Sequence, residues 1–185
     1  MSTRDRWLDA GIELLAAEGP SAVRIDRLAR RVGLSKGSFF HHFAGAAAFK
    51  TALLARLETA AAEVWSASAE RLSTATPREL LVELTDAVGT SDLVVWRPEV
   101  QVAVRSWALQ DAEVGATQAR IDRAALDLLE SVWRGIGLDP ESARVHALLP
   151  YLIMVGAGMS TTPIERSELH GVYQLILPLV PGQSE

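Results

Sequence analysis

The sequence predicts an all-α protein. Apolar residues recur at helical spacing through almost every segment, and no run of β-branched residues alternates with polar ones for more than a few positions. Several segments also open with a cap-and-proline signature, of which Thr76-Pro77-Arg78-Glu79 is the clearest. There the threonine and glutamate can satisfy each other's free N–H groups while proline takes the first helical position. At 185 residues the chain can bury a substantial core without a metal or disulfide, as one domain or as a small domain joined to a larger one.

Leu8, Ile12 and Leu15, at i, i+4 and i+7, predict a first helix closed by Gly19 and Pro20. Ile25, Leu28, Ala29 and Val32 predict a shorter second helix ended by Gly33. Ser35 is placed to cap a third, from Lys36 to about Phe43. A long fourth helix, about 46–72, carries Phe49, Leu53, Leu57, Ala60 and Val64 along one face. Further helices are expected near 77–89, 98–109, 112–136, 140–159 and 163–179, about nine in all. Asp139-Pro140 starts the eighth, and a second box, Thr162-Pro163-Ile164-Glu165, starts the ninth. Pro150 is expected to kink the eighth.

The chain has no cysteine, which excludes disulfides, thiolate zinc sites and thiol nucleophiles, and suits a reducing cytosol. The N-terminus lacks a signal-peptide pattern, and the longest apolar stretch, Ala147 to Met159, is well short of the roughly 20 residues a bilayer requires. A cytoplasmic protein without a membrane partner is expected. No cofactor, metal spacing, phosphate loop or nucleophile–base set is evident, so an enzyme is not expected. The formal net charge is −5, but residues 1–50 hold eight Lys/Arg against five Asp/Glu, whereas the remainder holds ten against eighteen. A polyanionic partner therefore belongs at the N-terminal end.

Within Ile25 to Phe43, two short helices meet at a glycine turn, with small Ala29 at the crossing and Leu34 and Phe39 as internal plugs. This is the pattern of a helix-turn-helix. The second helix of such a unit lies in the major groove with its N-terminal residues near base edges, here Lys36, Gly37, Ser38 and His41. Lys36 can donate to guanine O6 or N7, Ser38 can serve a base or a phosphate, and Gly37 permits close backbone approach. Adjacent His41 and His42 point about 100° apart on a helix and do not form one metal site. Arg27, Arg30 and Arg31 suit either phosphate contact or plain solvation.

The run from Arg24 through Phe43, Arg-Ile-Asp-Arg-Leu-Ala-Arg-Arg-Val-Gly-Leu-Ser-Lys-Gly-Ser-Phe-Phe-His-His-Phe, resembles the DNA-binding signature of the TetR family of transcriptional regulators. The resemblance covers about residues 4–57 in helix order, turn length and aromatic positions. Ala103-Val-Arg-Ser-Trp-Ala, followed by Asp111 and Asp122, resembles a pattern of the family's ligand-binding halves. The resemblance implies a DNA-binding domain at 1–46 and a ligand-binding and dimerisation domain at 47–185. It implies a homodimeric repressor on a palindromic double-stranded DNA operator, released by a small effector. Its DNA-binding set is Arg24, Lys36, Gly37, Ser38, Phe40, His41, His42 and Ala46. Two positions depart from the family: Phe40 stands where a tyrosine is usual, and Ala46 where a lysine is usual.

Trp65, Trp96 and Trp133 are candidate walls for an apolar or amphipathic effector, with Arg105 facing a ligand carboxylate or an internal acid such as Asp122. Core packing is the competing role for each tryptophan and the expected one for Trp107. Leu169, Val172, Tyr173, Ile176, Leu179 and Val180 form an apolar stripe that, with Gly156 and Gly158 allowing close approach, is the candidate subunit interface. Phe40, Ala46 and the acidic balance leave a second reading open, a same-fold sensor or protein-interaction module that no longer binds DNA.

Overall fold

The computed structural model describes residues 1–90, 93–160, 162 and 164–179, and within them the side chains of all but 88–90, 95 and 179. Nine α-helices and three short 3₁₀ turns organise the described residues, with no strand among them. Helix α1 (Thr3–Glu18) opens at Ser2, whose hydroxyl accepts from the Asp5 N–H while the Asp5 carboxylate accepts from the Ser2 N–H. Gly19 closes it by donating its N–H to the Leu15 carbonyl. Helix α2 (Ile25–Val32) ends at Gly33, which is left-handed at φ 73° and ψ 31°. That conformation costs an L-residue roughly 1–2 kcal/mol. Ser35 caps α3 (Lys36–His42) by accepting from the Ser38 N–H at 3.2 Å.

The long α4 (Ala46–Leu72) follows, then α5 (Pro77–Thr90), α6 (Pro98–Ala108), α7 (Ala112–Gly135), α8 (Pro140–Met159) and α9 (Arg166–Ile176). The box at α5 forms as the sequence predicts: the Thr76 N–H donates to the Glu79 carboxylate at 2.7 Å, and the Glu79 N–H to the Thr76 hydroxyl at 3.2 Å. Asp139 caps α8 through the N–H groups of Glu141 and Ser142, and the helix continues through Pro150.

The ninth helix starts later than the expected residue 163. Its box is built by Glu165 and Glu168, with the Glu165 N–H donating to the Glu168 carboxylate at 2.8 Å. Thr162 and Ile164 are not helical, and Pro163 lies outside the described residues. The helix gives way to a 3₁₀ turn at Leu177–Leu179, where Pro178 has no N–H to continue the ladder.

The chain divides into two compact units, Met1–Ala60 with Glu99–Ala119, and Ala61–Pro98 with Arg120–Glu185. Helices α4 and α7 each begin in the first and finish in the second. In the first unit Trp7, Leu15, Leu28, Phe39 and Leu53 are almost completely buried. Leu34, an expected plug, is only half-buried. In the second unit one cluster gathers Ala61, Trp65, Trp96, Ala125, Leu128, Leu169 and Tyr173. A neighbouring cluster gathers Leu80, Leu81, Val132, Trp133, Ala143, Ala147 and Leu177. Along α4, Phe49, Leu53 and Leu57 are buried as expected, but beyond them the buried positions are Ala61 and Trp65, with Ala60 and Val64 half-buried. A 3.6-residue period drifts from a seven-residue repeat by about 20° per heptad, and the stripe turns with it.

Candidate functional site

Phe39 is the pivot of the helix-turn-helix. Its buried ring meets Trp7 edge-on at 5.4 Å and packs against Phe43 at 5.2 Å and Phe49 at 5.5 Å. Pinning α3 from beneath leaves its opposite side outward: Lys36, Gly37, Phe40 and His41 are exposed, while Ser38 and His42 are half-buried. Arg24 and Ala46, at the starts of α2 and α4, are exposed as well. A Cβ on Gly37 would meet only the Ser35 hydroxyl, at an ordinary 3.5 Å. Nothing inside the chain therefore requires glycine there. No ion pair engages Lys36 among the described residues, and His41 and His42 stack edge-on at 5.1 Å. No group of three or more His, Cys, Asp or Glu fit to hold a metal occurs among the described residues.

The basic face of α2 is partly committed inside the protein. Arg27 reaches Glu18 at 2.5 Å and Arg31 lies 3.9 Å from Glu13, so both tie α2 to α1. The hydrogen bond from Arg27 holds the Glu18 carboxyl below its ordinary value, and Glu18 in turn raises Arg27. Arg24 lies 3.5 Å from Asp26, and Arg30 is exposed.

A second polar feature of this unit joins residues 61 positions apart. Lys50 on α4 donates to Asp111 at 2.7 Å and lies 2.9 Å from Glu113 at the start of α7, while the Thr51 hydroxyl donates to Glu113 at 2.8 Å. Hydrogen bonding to Lys50 lowers both carboxyls and raises the lysine. Sequence reasoning had no local signal for this tie, because neither partner announces the other.

In the second unit the three candidate tryptophans separate. Trp65 and Trp96 meet edge-to-face at 5.3 Å beside a cavity of about 50 Å³ that Ala125, Tyr151, Met154 and Tyr173 also line. Trp133 instead packs against the His146 ring at 4.8 Å, on a groove of about 620 Å³. Arg105 is half-buried and belongs to the first unit, and Trp107 is half-buried rather than core.

The candidate interface stripe also divides. Leu169 and Tyr173 are buried in the chain's own core and Ile176 packs against it, so these three serve the monomer. The Tyr173 hydroxyl donates to the Pro150 carbonyl at 3.0 Å, and burial raises its pKa. Val172 and Gly156 are exposed, whereas the Leu179 side chain and Val180 lie outside the described residues. The apolar surface that remains open runs along α8 through Val145, Leu149, Leu152 and Met159, with Val172 and Leu175 on α9. The 4-3-4-3 spacing of 145, 149, 152, 156 and 159 was readable in the sequence.

Comparison with known proteins agrees with this geometry. Residues 8–57 match the family model described as bacterial regulatory proteins, tetR family. The HTH-type transcriptional regulator SrpR of Pseudomonas putida is 38% identical over 53 residues, a stretch that is 29% of this chain and 25% of that protein. The matched part of the chain thus spans only about a quarter of that relative's length. Among solved structures, a TetR transcriptional regulator from Legionella pneumophila superposes with a TM-score of 0.80 at 17% identity, covering 98% of each chain. A transcriptional regulator from Saccharomonospora viridis in complex with choline gives 0.75 at 20% identity, covering 95% of each. At these identities the likeness establishes the fold.

Proposed function

We propose that this chain, a member of the TetR family of bacterial regulatory proteins, is a homodimeric transcriptional repressor that reads a palindromic DNA operator and responds to a small apolar or amphipathic effector. The observation that carries the reading is the geometry of α3: Phe39 is buried among aromatic rings while Lys36, Gly37, Phe40 and His41 face outward on the same two turns. Such a helix suits the major groove, with Lys36 and Ser38 toward base edges and Arg24, His42 and Ala46 toward phosphates. The functional division is a DNA-binding domain at 1–46 and a sensing and dimerising remainder at 47–185. Catalysis forms no part of the reading.

The dimer contact is assigned to α8 and α9. A solvent-facing stripe of Val145, Leu149, Leu152 and Met159, with Gly156 between, repeats at heptad spacing, and Leu152 and Leu175 are 57% and 77% exposed. A self-complementary stripe of this kind is what a two-fold interface covers. The neighbour holding choline supports a small-molecule effector for this fold. Half-sites one helical turn apart require recognition helices separated by roughly 34–36 Å. An effector that favours another separation lowers operator affinity, and the continuous α4 with the Lys50–Asp111–Glu113 tie is the proposed relay.

An electrophoretic shift on DNA flanking the protein's own gene tests the reading. Specific retardation should be lost in Lys36→Ala. Its absence in the unaltered protein at low salt favours the second reading, a same-fold sensor or interaction module, for which Phe40 and Ala46 are the motivating residues. A pull-down compared with genome-wide footprinting separates the two.

A further inference from the structure

Residues 1–60 contain seven arginines, and five of them are engaged inside the chain. Arg24, Arg27, Arg31 and Arg56 pair with Asp26, Glu18, Glu13 and Asp9, and Arg6 donates to the Val32 carbonyl at 3.0 Å. Arg30 is exposed on α2. Arg4 differs from all of these. It is exposed on the first turn of α1, yet its guanidinium stands over the Phe43 ring, with its carbon 5.4 Å from the ring centroid. Phe43 is 4% exposed and packs against Phe39 at 5.2 Å and Phe49 at 5.0 Å, so the platform under Arg4 belongs to the buried hub. No carboxylate pairs with Arg4 among the described residues. The acids nearest to it along α1 are taken: Asp5 accepts from the Ser2 N–H and hydroxyl, and Asp9 pairs with Arg56.

Position matters as much as charge. Phe43 is the cap residue at the C-terminal end of α3, one residue after His42 and three before Ala46. In a major-groove helix the N-terminal residues approach base edges, while contacts around them go to the phosphates on the rim of the groove. A guanidinium stacked on a ring keeps its in-plane N–H donors available, and its planar fork matches a phosphate. Because the ring holds the side chain before DNA arrives, less rotamer freedom is lost on binding. Resting on the reading of α3 as a major-groove helix, we propose that Arg4 is a further DNA-binding residue, whose guanidinium, laid on Phe43, grips one backbone phosphate in each half-site. An α1 side chain would thus share in holding α3 in register on the duplex.

The full-length chain is tested first on a long mixed-sequence duplex, where phosphate contacts dominate binding, across a salt series. Arg4→Gln should make the slope of log affinity against log salt shallower by about 0.9 per subunit, or about 1.8 per dimer. Arg4→Lys and Phe43→Leu retain the charge but lose the stacked fork, so each should keep the slope and weaken binding by a factor of roughly 2 to 12. If Phe43→Leu does not fold by circular dichroism, Arg4→Lys decides that arm. Ethylation interference on the DNA fragment that the chain retards then locates the contact. One phosphate per half-site should hinder the unaltered chain when ethylated and be without effect on Arg4→Gln. An unchanged slope in Arg4→Gln overturns the proposal, even if its denaturation midpoint falls, because Arg4 then serves only the hub. A shallower slope with the same set of sensitive phosphates overturns it too, since the charge would act only at long range. If the unaltered chain binds no duplex at low salt, the DNA reading itself fails; binding with an unmoved Arg4→Gln slope sinks this contact alone.

Discussion

In the first unit Phe39 meets four aromatic rings at 5.2 to 5.5 Å, those of Trp7, Phe40, Phe43 and Phe49. In the second, among the described residues, Trp65 meets Trp96, Trp133 meets His146, and open volume borders both groups. Similar side chains thus serve opposite ends. A closed aromatic hub fixes the direction of a short helix whose seven residues could not hold themselves in place, since isolated helices of that length are unstable. A loosely joined aromatic set leaves open volume beside it.

The sharpest way to break this contrast is to remove the hub. Phe39→Ala should cost roughly 3–5 kcal/mol, the usual loss for a buried phenylalanine, and should abolish DNA retardation with it. Chemical denaturation gives the number, and a cost under about 1 kcal/mol would mean that α3 is held by something else. Gly11→Ala asks the same of the packing around the hub. A Cβ there would stand 2.8 Å from the Phe49 ring and 3.2 Å from Leu53, and Phe49 is itself wedged against Phe39 and Phe43. The expected cost is roughly 1–3 kcal/mol, from overpacking. Ala125→Val adds carbon beside the small cavity instead, and should stabilise by about 0.5–1 kcal/mol. Opposite signs for these two additions would sharpen the comparison, and equal signs would remove it.

A smaller effect concerns the tie between α4 and the start of α7. Lys50 lowers the carboxyls of Asp111 and Glu113, so their contribution is complete above ordinary carboxylate values and is lost as pH falls through the lowered ones. The lysine is raised, so its share is complete below its ordinary value and is lost only as pH climbs through the raised one. Stability from this cluster should therefore be flat between about pH 5 and 10 and fall on the acid side. Lys50→Met should flatten that acid fall. Denaturation midpoints at pH 7 and 3.5 check it, and an undiminished acid loss in the variant would assign the effect to other carboxylates.

Helix existence and most helix ends could be read from the sequence because caps and periods are local: Ser35, Gly33, Thr76 and Asp139 act within a few residues. The outward positions of α3 were readable for the same reason, since Lys36 to His42 are contiguous. The ninth helix was misplaced at its start because Thr162-Pro163 mimics a box that Glu165 and Glu168 provide instead. Trp7 and Gly11, at i and i+4 of α1, were overlooked although their helical spacing was visible. Sequence distance hid the rest. Nothing local tells Lys50 of Asp111, or brings Thr85 and Pro150 into one wall, and periodicity could not say that Leu169 and Tyr173 face inward while Leu175 faces out.

The smallest change in stability should come from a surface position where the sequence departs from the DNA-binding signature it resembles. Ala46 is exposed at the first turn of α4, so Ala46→Lys should alter folding by no more than about 0.5 kcal/mol. Its effect should appear in salt dependence. A lysine that neutralises one phosphate releases its counterions and steepens the slope of log affinity against log salt by about 0.9, or about 1.8 for a dimer. Phe40→Tyr adds a neutral hydroxyl to a ring already 55% exposed, which should tighten binding by about 0.5–1.5 kcal/mol while leaving the slope alone. Operator affinity across a salt series for the three proteins separates charge from hydrogen bonding. If Ala46→Lys leaves the slope unchanged while fold and dimer stay intact, position 46 does not approach phosphate, and the placement of α3 and the start of α4 on DNA must be redrawn.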